Sequence, residues 1–103
     1  MDRIAVAQFL LEFKKLVKER RLYVEGRDKN IITLGELGIT NDQQRQELLE
    51  LSVEDYVSGP ESDRDRPGEY LYKFKRRIND QEIYIKIKIT VDGKYAKCIS
   101  FHT

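Results

Sequence analysis

Residues 83–90 read Ile-Tyr-Ile-Lys-Ile-Lys-Ile-Thr, and no other stretch of the chain restricts its fold as tightly. Isoleucines at 83, 85, 87 and 89 alternate with Tyr84, Lys86, Lys88 and Thr90. A period of two makes this a strand buried on one face only. The flanking segments, about 69–78 and 94–102, read as its neighbours. Tyr70, Tyr72 and Phe74 join the isoleucine face, leaving Leu71, Lys73, Lys75 and Arg77 opposite. A two-residue Asn79-Asp80 turn, a type I′ candidate, pairs Phe74 with Ile85 and Lys75 with Tyr84. A three-residue Val91-Asp92-Gly93 loop with Gly93 left-handed pairs Thr90 with Lys94 and sends Ile99 and Phe101 to the isoleucine side. That register sets Ser100 opposite Tyr84, Cys98 opposite Lys86, and His102 diagonal to Tyr84.

Upstream, the period lengthens. Ile4, Val6, Phe9, Leu10, Phe13, Leu16 and Val17 recur every three to four residues, which predicts an amphipathic helix over 2–21 capped by Asp2. Leu22-Tyr23-Val24 is a short extended piece. A second helix falls within 29–37, with Thr33-Leu-Gly-Glu36 as a possible capping box and Gly38 as its stop. Thr40-Asn-Asp-Gln43 is a cleaner capping box and opens a helix to about Leu51 that buries Leu48, Leu49 and Leu51. Ser52-Val-Glu-Asp55 adds one turn, closed by Gly59-Pro60. Residues 59–68, Gly-Pro-Glu-Ser-Asp-Arg-Asp-Arg-Pro-Gly, read as a loop, either mobile and functional or plain linker. The fold class expected is therefore α+β, an antiparallel sheet with N-terminal helices on one face.

At 103 residues the chain supports one domain and one core, spanning 1–103. No apolar run approaches the roughly 18 residues that cross a bilayer. Met1-Asp2-Arg3-Ile4 lacks the layout of a signal peptide, and a single cysteine, Cys98, leaves no internal disulfide. A cytoplasmic protein without a membrane partner is the expectation. The net charge of +1 hides an asymmetry: residues 1–68 carry −3 and residues 69–103 carry +4. The basic excess sits in the sheet, where it attracts a polyanion or merely solvates strands.

The face opposite the isoleucines thus collects Lys73, Lys75, Arg77, Tyr84, Lys86, Lys88, Ser100 and His102. Metal-free RNA cleavage needs a base for the 2′-hydroxyl, cations on the phosphorane and an acid for the leaving 5′-oxygen. His102, the only histidine, is the natural proton acceptor. Tyr84 donates to phosphate or acts as a weak acid, while Lys75 and Lys86 hold the scissile phosphate. Lys73, Arg77, Lys88 and Ser100 extend the RNA-binding surface, and Arg64 and Arg66 close over the substrate from the loop. The competing readings are structural: a solvated strand end for His102, a sheet cover for Tyr84, and pairing of Arg64 and Arg66 with Asp63 and Asp65. The acidic loop lacks the glycine and bidentate glutamate of a calcium site. No P-loop, dinucleotide fingerprint or nucleophile elbow is present, so neither cofactor nor metal is expected.

The helix, the Leu-Gly-Glu-Leu-Gly segment, Leu51-Ser52…Asp55-Tyr56, and the closing Ile83-Tyr84-Ile85-Lys86-Ile87 and Ser100-Phe101 together resemble the MqsR-like toxins of bacterial toxin–antitoxin systems. These belong to the broader RelE-like group of small ribonucleases, and the similarity runs from the first helix to His102. The resemblance implies a RelE-like fold and a metal-independent endoribonuclease, or mRNA interferase, acting on messenger RNA. It further implies a cognate antitoxin, often with a zinc-binding domain and a DNA-binding helix-turn-helix. The family's active-site tyrosine maps onto Tyr84. The family lysine that follows Ser-Phe maps onto His102, and the one after the Asp-Phe-Tyr turn finds Ser58. The family glutamine before the first sheet strand has no counterpart. A non-catalytic RNA- or ribosome-binding module using the same basic face is the alternative.

Overall fold

Asp2 caps the first helix as expected, its carboxylate accepting from the Ile4 and Ala5 amides at 3.0 and 3.3 Å in the computed structural model, which describes residues 2–103. Helix α1 spans Arg3–Lys18 and buries Val6, Leu10, Phe13, Leu16 and Val17. Ile4, expected on that stripe, is exposed because it falls on the side of exposed Leu11, seven residues on, and away from buried Val6, Leu10 and Phe13. The helix stops at Lys18 rather than Arg21, and Arg20 (φ 64°) turns the chain into β1, Leu22–Val24.

Helix α2 runs Asp28–Leu37 and ends on left-handed Gly38. Thr33 lies mid-helix, its hydroxyl donating to the Lys29 carbonyl at 2.8 Å, so it caps nothing. Helix α3, Asn41–Leu49, opens on the predicted capping box: Thr40 accepts from the Gln43 amide at 3.1 Å and donates its own to the Gln43 side chain at 2.8 Å. A 3₁₀ turn at Val53–Asp55 follows. None of the helices is long and apolar enough to cross a membrane.

Five strands, not three, make the sheet. Strands β2 (Tyr56–Ser62), β3 (Tyr70–Ile78), β4 (Gln81–Ile89) and β5 (Ala96–His102) join β1 in the order β1-β5-β4-β3-β2. Strand β2 occupies the start of the segment expected to be a loop, pairing irregularly with β3. Strand β1 lies parallel to β5, Leu22 beside Ala96 and Val24 beside Cys98, while every other pair is antiparallel. Beyond β1 the side chain of Asn30 continues the edge, accepting from Phe101 N–H at 3.0 Å and donating to the Ile99 carbonyl at 3.1 Å. Buried backbone groups that would otherwise be orphaned are thereby satisfied.

The Asn79-Asp80 turn has positive φ at both residues, 48° and 65°, and gives the predicted pairs Phe74–Ile85 and Lys75–Tyr84. The β4–β5 register departs from expectation. Thr90 N–H donates to the Tyr95 carbonyl at 2.9 Å, lengthening the loop to 91–94. A bulge then places two residues, Ile99 and Ser100, against Lys86. Cys98 therefore enters the core opposite Ile87, Ile99 leaves it, and His102 stands directly opposite Tyr84 instead of diagonal to it. The helices cover the face bearing Phe74, Ile78, Ile83, Ile85, Ile87 and Phe101. Arg76 ties that layer down, contacting Glu47 at 2.7 Å and Glu50 at 2.9 Å.

Candidate functional site: the helix-free face of the sheet

Strand alternation delivers the candidate residues to one side. Because Phe74, Ile85 and Phe101 point into the core, Lys73, Lys75, Tyr84, Lys86, Ser100 and His102 project from the opposite face. A shallow basin of about 280 Å³ there is lined by Val57, Lys73, Tyr84, Lys86, Ser100 and His102. Cross-strand pairing fixes the floor: Tyr84 against His102, Lys86 against Ser100, Lys73 against Lys86. Directly opposed side chains in such pairs sit about 5 Å apart at Cβ.

His102 Nδ1 lies 3.0 Å from the Thr103 carbonyl oxygen. That oxygen only accepts, so Nδ1 is the donor in this contact, and in a neutral imidazole Nε2 would then be the acceptor facing the basin. Tyr84 donates its phenol proton to Glu82 Oε1 at 3.2 Å, and Lys75 Nζ stands 3.8 Å from the same oxygen and 5.3 Å from the Tyr84 ring centre. Glu82 is thus a member of the site that the sequence reading passed over. It lies two residues before Tyr84 on the same strand, and that spacing was the available signal. Any group that takes the phenol proton or Lys75 has to displace Glu82.

The lysines of this face divide. Lys73 meets Glu61 at 3.3 Å, an exposed contact of small worth. Lys86 makes no ion pair among the described residues and presents a free ammonium to the basin. Lys88 differs from the expectation: it is 3% exposed and held by Asp63 and, at 2.7 Å, by Glu69. Burial opposes its charge, but the two carboxylates outweigh burial and raise its pKa above the ordinary lysine value. Lys88 is therefore not presented to a phosphate. The Lys88 ammonium instead pins residues 63–69 as a strap across the sheet, with Glu69 also accepting from Val91 N–H at 3.0 Å.

Arg64 and Arg66 ride on that strap. They line a neighbouring depression of about 450 Å³ that shares Lys86 with the basin but not His102. Arg77 faces the open side near the Asn79-Asp80 turn, opposite Glu82 and outside the basin. Sequence reasoning missed the strap because a lysine on an alternating strand reads as solvated. Among the described residues, no group of three or more His, Cys, Asp and Glu side chains comes together as a metal site. No family model matches the chain, and no curated protein matches it.

Proposed function

We propose that the protein is an endoribonuclease toxin that cleaves single-stranded messenger RNA by attack of a 2′-hydroxyl on the adjacent phosphate. The observation that carries this reading is the direct pairing of His102 with Tyr84 on the helix-free face, beside the unpaired ammonium of Lys86. His102 Nε2 accepts the 2′-hydroxyl proton. The alkoxide forms its bond to phosphorus, the bond to the 5′-oxygen breaks, and the products are a 2′,3′-cyclic phosphate and a 5′-hydroxyl. Lys86 and Lys73 hold the phosphate oxygens as charge builds, above a floor formed by the buried Ser100, and Tyr84, released from Glu82, supplies a proton to the leaving oxygen.

The resemblance to MqsR-like toxins supports the same reading and supplies its setting, a cytoplasmic toxin held in check by a cognate antitoxin. Its most serious departure is eased by the pairing of strands. Ser58 stands where the family has a lysine, and Lys73 lies directly across from Ser58 on β3. An ammonium is thus available at that place from the neighbouring strand.

Purified protein incubated with a fluorescent single-stranded RNA tests the proposal. His102→Ala is expected to slow cleavage by roughly 100- to 10,000-fold while RNA binding survives. Cleavage unaffected by His102→Ala overturns the proton-transfer role. Wild-type protein that binds RNA without cutting it leaves the non-catalytic binding module in its place. In cells, induction is expected to arrest growth, with rescue by the product of a neighbouring open reading frame; growth unaffected by induction argues against a toxin.

A further inference from the structure

A third depression, of about 600 Å³, lies away from His102, where β1 meets the β4–β5 loop. Arg20, Arg21, Arg66 and Lys97 line it with Tyr23 and Tyr95. None of these four cations makes an ion pair among the described residues. The one carboxylate among its lining residues, Glu25, is already engaged by Arg27 at 3.2 Å. Tyr23 and Tyr95, which both line this depression, are 55% and 50% exposed, so each ring is open to solvent. Lys97 Nζ sits 5.8 Å from the Tyr23 ring centre and the Arg21 guanidinium 6.0 Å from that of Tyr95. The cations steady the rings without burying them.

This patch is continuous with the His102 basin. It shares Arg66 and Lys97 with the depression beneath the strap, which in turn shares Lys86 with the basin. From Lys97 to His102 along β5 is about 16 Å at the rise of a strand. Unpaired cations interleaved with open aromatic faces suit single-stranded nucleic acid, whose phosphates take the charges and whose bases stack on the rings. An acidic peptide would satisfy the cations and leave the two rings without a role.

The geometry points to a second RNA subsite, in which the strand flanking the scissile phosphate crosses the open face, stacks bases on Tyr23 and Tyr95, and lays its phosphates on Arg20, Arg21 and Lys97. It rests on the ribonuclease reading and sets where the substrate runs beyond the cut.

A fully 2′-O-methylated RNA of about 12 nucleotides, which the 2′-hydroxyl chemistry cannot cut, serves as the binding probe. Tyr23→Ala/Tyr95→Ala is expected to weaken its binding roughly 10- to 100-fold, with Tyr23→Phe/Tyr95→Phe restoring most of the affinity. Arg21→Gln/Lys97→Gln, which leaves both rings and the core in place, lowers the salt slope of binding by about 1.4. Wild-type affinity and slope in both the tyrosine-to-alanine and the charge variants overturn the subsite, and cleavage by wild-type protein then leaves the nuclease reading standing alone. Tyrosine-dependent binding by a protein that never cuts unmodified RNA does the reverse. Tighter binding of poly-glutamate than of the RNA probe, with the same variant dependence, overturns the subsite in favour of an acidic protein partner.

Discussion

Cys98 lies fully buried beneath the sheet, and its thiol is pushed up to about 12, first by burial and then by the negative field of Glu25. Only the thiolate reacts, so this sulfur is a core filler and not a nucleophile. At about pH 8, Ellman's reagent should label the native protein at least roughly 100-fold more slowly than the urea-unfolded chain, because reaction waits for an opening of the fold. Equal rates would mean that β5 is not held as described. Gly59 is constrained in another way. Its φ is 114°, and an added Cβ would stand 2.5 Å from the Leu71 carbonyl oxygen and 2.9 Å from Tyr72 Cα, both backbone of β3. Gly59→Ala is expected to cost about 2–3 kcal/mol in urea unfolding. A change under about 0.5 kcal/mol would show that β2 does not press on β3 there. At this scale the sequence was most legible where period two held: Tyr84, Lys86 and Lys75 face the same way because Ile85 and Phe74 must face the other. It failed at Ile99, where an inserted residue breaks the period and no local signal marks the bulge.

Among the elements, the strap 63–69 depends on Lys88. Asp63 is held below the usual carboxylate range chiefly by the Lys88 ammonium. Glu69 is also lowered, burial pushing it up but Lys88 and the Val91 N–H prevailing. The carboxylates' contribution is therefore full above their ordinary values and is lost as pH falls through the depressed ones. The lysine's is full below its ordinary value and is lost as pH rises through the raised one. The strap is locked through the neutral range and loosens in acid. Lys88→Met leaves two partly buried carboxylates facing each other and should cost about 3 kcal/mol. Adding Asp63→Asn and Glu69→Gln should recover much of that and flatten the fall of Tm below about pH 4. An unchanged Tm in Lys88→Met would deny the strap its anchor. Neither the strap nor β2 was legible beforehand, because a polar run with proline and glycine carries no periodicity. Strand β1 was visible as three extended residues, but its parallel partner lies more than seventy positions away, and nothing local selects it. The helices were read well because caps and apolar stripes are local signals, as at Thr40 and Gln43.

For the whole molecule, the sheet is a partition: helices and core on one side, a basic and aromatic surface on the other. The charge split along the chain becomes a split in space only in part, since Arg76 turns to the helices and Lys88 is neutralised by the strap. Phe101 and His102 are sequence neighbours on opposite sides of that partition, and they offer a direct test of it. Phe101 is fully buried opposite Ile85, so Phe101→Ala should cost about 3–5 kcal/mol, a large share of the 5–15 kcal/mol typical of such a domain. The proposed RNA binding and cleavage should then fall together as the native fraction falls, with Tm lowered by roughly 15 °C or more. His102→Ala removes a half-buried side chain from the helix-free face, and its Tm should stay within about 4 °C of wild type while the proposed cleavage alone collapses. If both variants instead lost stability alike, the imidazole would be a structural member of the sheet. The chemistry would then have to be sought among Tyr84, Glu82 and Lys86 without it.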